Sequence, residues 1–156
     1  EPKPFWRLCS TYTCGLWALF HIASVAVAER PRPQPPREGA EGFLSAVYKS
    51  YVSPEEALRR VRGFVEFFFG CEECSKHFLA MFDDCELGRC ELQPHDGKGA
   101  ALWLWKAHNA ITKRVAEERG ARAPEPWPSS ADCPRCWTAA DKPDAAVVYR
   151  HLAGAF

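Results

Sequence analysis

Residues 64–81, FVEFFFGCEECSKHFLAM, carry the reading that decides the fold. Upstream of Gly70, apolar side chains recur at three- and four-residue steps: Leu58, Val61, Phe64, Val65, Phe68 and Phe69. That period predicts one face of an α-helix. Gly70 is a natural stop, and a new helix is expected to begin near Cys71, with Cys74, His77, Phe78 and Met81 on related faces. A thiolate at a helix start is stabilised by the helix dipole and the unpaired N–H groups, which lower its pKa. The i, i+3 spacing puts both sulfurs on one side, close enough to bond. A reversible dithiol suits that arrangement, but the same Cys-x-x-Cys is also a common zinc knuckle. The other such pair, Cys133 and Cys136, lies far outside the usual zinc-ribbon interval of roughly 15–20 residues. On the residues alone, redox chemistry and zinc both stay open.

Outward from this segment the chain reads as helical throughout. Ser53-Pro54-Glu55-Glu56 supplies an N-cap, a proline at the first helical position and acids in the first turn of the helix that ends at Gly70. Leu16, Trp17, Phe20, His21, Ser24 and Val25 mark an earlier amphipathic helix, ended by the prolines of residues 31–36. Residues 40–51 suggest a short helix between them. Residues 83–97 read as a loop holding Cys85, Cys90 and His95. Residues 98–119 form the longest expected helix, with Leu102, Trp105, His108, Asn109 and Thr112 near one side. Residues 120–132 are proline-rich and irregular, and a last helix is expected over 144–152. No alternating strand pattern and no internal repeat is visible. The expected class is all-α, four or five helices packed as a bundle.

A chain of 156 residues fits one domain, here taken as residues 1–156, with a core of its own. Twenty basic and twenty acidic residues cancel, which argues against a nucleic-acid partner. The apolar run over 16–28 contains His21 and reads as too short for a bilayer span, and it lacks the charged leader of a signal peptide. The chain starts at Glu1 rather than methionine and reads as a fragment or processed product. Eight cysteines fall into four close pairs: Cys9/Cys14, Cys71/Cys74, Cys85/Cys90 and Cys133/Cys136. Local pairing closes only small loops, each stabilising by about 2 kcal/mol in the chain-entropy model. Rings that small do little to hold a fold, so at least one pair is expected to serve redox chemistry or metal binding.

The order TCGLWALFH, FFFGCEECSKHF, LWLWKAHNAIT, then Trp127-Pro128 and Cys133-Pro134-Arg135-Cys136 resembles the Erv/ALR sulfhydryl oxidase domain, most like its quiescin branch, over roughly residues 9–156. The resemblance implies a four-helix bundle plus a short fifth helix with FAD held noncovalently in the bundle. Carried over by position, Cys71 is the sulfur attacked by an incoming thiol and Cys74 the flavin-proximal one. Trp17, His21, Glu73, His77, Trp105, His108, Asn109, Thr112 and Trp127 match FAD-lining positions, and Lys113 or Arg114 is placed to reach the pyrophosphate. No residue is assigned to a metal. Ser10 stands where the family often has arginine, Thr112 where asparagine is usual after the His-Asn pair, and Pro124 where lysine is common. Cys9–Cys14 is read as a structural disulfide, and Cys133–Cys136 as the family's distal pair, structural or nonessential, with an electron shuttle as the alternative. Cys85–Cys90 is read as an added loop staple, with zinc beside His95 as its alternative.

The implied reaction passes electrons from dithiols through Cys71–Cys74 to FAD and then to O2, giving hydrogen peroxide. Implied partners are an upstream thioredoxin-like module or another dithiol donor, and a second Erv-like bundle as a homodimer or pseudo-dimer. The implied location is the secretory route (Golgi or ER) or the cell exterior. Two rival classes remain: a zinc-stabilised interaction module using Cys71, Cys74, Cys133 and Cys136, and a disulfide-stapled binding domain without catalysis.

Overall fold

A computed structural model describes residues 11–39, 42–140 and 142–155, except for the side chain of Leu44. Six α-helices follow in order: α1 (Tyr12–Glu29), α2 (Phe43–Lys49), α3 (Pro54–Phe68), α4 (Glu72–Asp83), α5 (Gly97–Glu118) and α6 (Ala145–Ala155). Their starts are capped by the residue types that favour helix N-termini. Thr11 Oγ1 accepts from the Cys14 N–H at 3.2 Å, Ser53 Oγ from Glu56 at 3.1 Å and Asp96 Oδ1 from Gly99 at 2.8 Å. Cys71 occupies the same position on α4, its Sγ 3.3 Å from the Cys74 N–H. No strand occurs among the described residues; Trp137 and Pro143 form an isolated antiparallel bridge.

Helices α1, α3, α4 and α5 form the expected four-helix bundle, α6 is the fifth helix, and α2 stands before them in the chain. Helix α5 is the axis. It packs along α1 and also meets α3 and α6. One core gathers Phe20, Leu58, Val65, Phe78, Phe82, Trp103 and Leu104; a second gathers Val25, Trp105, Cys133, Cys136, Val148 and Leu152. Arg62 ties α3 to the end of α4 by a two-pronged bond to Asp83 at 2.8 and 2.7 Å.

Three expectations are corrected. Phe68, placed on the apolar face of α3, is 71% exposed at that helix's last residue and stacks on Phe64 rather than entering the core. Residues 83–97 are not plain loop. They contain 3-10 turns over Glu86–Glu91, pinned by Cys85–Cys90 and by the Trp103 indole N–H donating to the Glu86 carbonyl at 3.0 Å. Arg89 is buried there, its guanidinium 4.3 Å over the Phe82 ring. Finally, α1 runs 18 residues and is long and apolar enough, by length and composition, to cross a membrane. In the fold, Ala18, Phe20, His21, Ser24 and Val25 of that helix are buried in the protein interior. Cys9 lies outside the described residues, and with it the Cys9–Cys14 expectation.

Candidate functional site

Cys71 and Cys74 are joined by a disulfide at the start of α4, with Cα atoms 5.3 Å apart. Both sulfur residues line a cavity of about 340 Å3, within the range of small-molecule sites. Its wall is mostly apolar: Leu16, Trp17 and Phe20 from α1, Val65 and Phe69 from the α3 end, Phe78 from α4, and Ile111 and Val115 from α5. Arg114 and Arg119 supply positive charge at the same wall. Arg114 pairs through Nη1 with Glu118, while its Nε is buried with no hydrogen-bond partner. A buried donor left unmatched costs free energy, so it points to an acceptor that belongs there.

A second cavity of about 350 Å3 is lined by His108, Asn109, Thr112 and Lys113 of α5 and by Pro124, Pro126 and Trp127. The two are connected through stacked rings. Trp17 of the first cavity lies on His108 of the second, centroids 4.4 Å apart and planes 13° apart. His21 Nε2 is 3.1 Å from His108 Nδ1, and both imidazoles sit beside Trp127, at 5.2 and 5.9 Å between centroids. Burial, and then the neighbouring His108, pushes His21 down to about 3. Burial pushes His108 down to about 4. Both are neutral at physiological pH, one donating and the other accepting in their shared contact.

The backbone of Trp127 is fixed from α5. Its N–H donates to Asn109 Oδ1 at 2.7 Å, and its carbonyl accepts from Asn109 Nδ2 at 2.8 Å and Trp105 Nε1 at 2.6 Å. Trp137 secures the next residue by donating to the Pro128 carbonyl at 2.8 Å.

Of the residues singled out from the sequence, Trp17, Cys71, Cys74 and Arg114 therefore share one cavity, and His108, Asn109, Thr112 and Trp127 the other, with His21 packed between them. Trp105 lines neither. It is 4% exposed in the second core and spends its indole N–H on Trp127. Glu73 and His77 also lie outside both linings; they pair with each other at 3.2 Å across one helical turn. Phe69, Phe78, Ile111, Val115 and Arg119 were not anticipated. The last three recur every four residues along α5, a signal readable in advance. The four-sulfur zinc reading does not assemble: Cys71 and Cys74 line the first cavity, Cys133 and Cys136 belong to the second core, and each pair is closed as a disulfide.

Residues 14–128 match the Erv1 / Alr family. The chain is 33% identical over 131 residues to Sulfhydryl oxidase 1 of Gallus gallus, covering 80% of this chain and 14% of that protein. It is 30% identical over 128 residues to Sulfhydryl oxidase 2 of Mus musculus, covering 80% of this chain and 16% of that one. Sulfhydryl oxidase 1 of Homo sapiens is 30% identical over 131 residues, with 80% and 15% covered. The chain thus spans only a small part of the length of these relatives.

Proposed function

The chain belongs to the Erv1 / Alr family, and from that premise we propose that it is an FAD-dependent sulfhydryl oxidase domain whose redox disulfide is Cys71–Cys74. The observation that carries the proposal is the placement of that disulfide on the wall of an apolar, aromatic cavity that Arg114 also lines. Such a cavity fits a flat ring system against sulfur with an anionic tail toward the guanidinium. Trp17 and Arg114 would hold FAD on the disulfide side, and His108, Asn109, Thr112 and Trp127 on the other. His21 and Trp105 support those residues from behind, while Glu73 and His77 enter the proposal on the family resemblance alone. When bound, FAD supplies two-electron redox chemistry, so that two thiols and O2 become a disulfide and hydrogen peroxide.

The chain's own part is thiol–disulfide exchange. A donor thiolate attacks Cys71 Sγ, forming a mixed disulfide and breaking the Cys71–Cys74 bond. Cys74 leaves as a thiolate in the first turn of α4, where free N–H groups and the helix dipole favour the negative charge. The donor's second thiolate then displaces Cys71, completing the donor disulfide and leaving the pair reduced.

The donor is proposed to be a thioredoxin-like module or another dithiol, and the compartment the secretory route or the cell exterior, where disulfides persist. Residues 1–156 are proposed to form one unit of a longer chain, paired with a second bundle of the same kind. Exposed Tyr12, Leu19, Phe67 and Phe68 support an apolar surface covered in the assembly. The experiment is direct: denature the purified chain, identify any released flavin, and measure its ratio to protein. One FAD per chain is expected. A folded chain that carries none and takes none up ends the proposal.

A further inference from the structure

The second Cys-x-x-Cys has no part in the chemistry above, yet it is not placed as a simple staple. Cys133 and Cys136 lie on a 3-10 turn and His151 on α6, and their two sulfurs and an imidazole nitrogen all lie within 4.8 Å of one another. Cys133 and Cys136 are buried and His151 is half-buried. Cys133 and His151 also line a separate cavity of about 330 Å3 with Asp132, Arg135 and Arg150, while Cys136 is fully buried. Two thiolates and one imidazole gathered this closely form the donor set that soft and borderline divalent ions prefer. In the disulfide form neither sulfur is a thiolate, so the ligands exist only after reduction.

We propose that Cys133, Cys136 and His151 form a zinc-class metal site that is present only when the Cys133–Cys136 disulfide is open, metal and disulfide being mutually exclusive states of one turn. A dithiol of the kind this domain consumes opens the site: its two thiols become a disulfide, the Cys133–Cys136 bond breaks, and two thiols form. Metal binding then releases two protons as both thiols become thiolates. Arg135 and Arg150 favour the thiolate form, and the Asp132 carboxylate on the same wall offsets their charge toward an incoming cation. Reoxidation by a disulfide reverses the exchange and expels the ion. The connection from the 3-10 turn to α6 is already set, since the Asp144 N–H donates to the Cys136 carbonyl at 2.8 Å and Asp144 in turn caps α6. Neither state therefore requires the helix to be rebuilt.

The test uses the full chain, reduced with a phosphine, incubated with zinc, desalted without oxygen, and assayed for metal and for alkylation of each cysteine. The oxidised chain is expected to retain no zinc. The reduced chain should retain one ion, with Cys133 and Cys136 alkylated far more slowly than in the same chain without zinc. Outer-shell changes already weaken metal sites by about 10–100-fold, so loss of a direct ligand in His151→Ala should weaken binding at least that much. His151→Asn serves if the alanine variant does not fold, and the wild-type alkylation pattern needs no variant. Zinc that stays undiminished in Cys133→Ser/Cys136→Ser, protection that falls on Cys71 and Cys74 instead, or a reduced chain that retains no metal would each overturn the proposal.

Discussion

Asn109 grips the backbone of Trp127 from both sides, accepting from its N–H at 2.7 Å and donating to its carbonyl at 2.8 Å. One amide on α5 thus fixes the segment that closes the second cavity and sets Trp127 against both imidazoles. Asn109→Ala leaves a peptide N–H without its partner and strips the carbonyl of one of its two donors. The expected cost is about 1–3 kcal/mol, read as a lower denaturant midpoint, together with faster loss of flavin on dialysis. A variant that melts like the wild type and stays yellow would contradict this role.

Two glycine-to-alanine changes should move stability in opposite directions. A Cβ on Gly97 would sit 2.6 Å from the Ala28 Cα, where α5 begins against the end of α1. Backbone cannot step aside cheaply, so Gly97→Ala should cost roughly 1–3 kcal/mol. Gly63 lies inside α3 with open space around its Cβ position, so Gly63→Ala should stabilise by about 0.5–1 kcal/mol. Thermal melts of the pair decide the matter, and equal signs would refute the α1–α5 contact.

Acid should destabilise the fold through the imidazole pair. In the unfolded chain both groups titrate at the ordinary 6.5, whereas in the fold His21 lies at about 3 and His108 at about 4. Between those values the unfolded chain binds protons that the folded chain refuses. Stability therefore rises with pH through this window and is lost as pH falls below 6.5 toward 4. The slope from each group is on the order of 1 kcal/mol per pH unit. Unfolding free energies across the window test it, with His21→Asn expected to flatten the dependence; a flat wild-type profile would count against the buried neutral pair.

Trp103, 1% exposed, joins the core to the 3-10 turns through its bond to Glu86. Trp103→Ala should cost about 3–5 kcal/mol. Opening the staple by Cys85→Ser/Cys90→Ser should cost only about 2 kcal/mol and leave thiol oxidation intact, because this pair sits past the far end of α4 from Cys71. Equal losses in the two variants would mean that the staple, not the tryptophan, organises the region.

The helices and their caps were legible in the sequence because local chemistry decides them: Ser53-Pro54 opens α3 and Cys71 opens α4 as their residue types demand. The Cys71–Cys74 pair stands out in the sequence as a dithiol for the same reason, whereas Trp17, His108 and Asn109 enter as cofactor-lining candidates through the family resemblance. What escaped was set by contacts between distant segments. Nothing near Asn109 indicates that its amide is spent on Trp127, or that Trp105 is spent there too. The helical period places Phe68 inside, but period alone does not say which turn has a neighbour to pack against. The buried Arg89 follows from a ring beneath it, Phe82, that only the fold supplies.

The most direct measurement is an anaerobic titration of the purified chain with a dithiol while the flavin absorbance is followed. The account predicts that the wild type bleaches stoichiometrically and recovers on admitting air with release of hydrogen peroxide, and that Cys71→Ser and Cys74→Ser bind flavin but stay yellow. Bleaching at the wild-type rate in either variant, or a wild type that holds flavin and does not bleach, would contradict it.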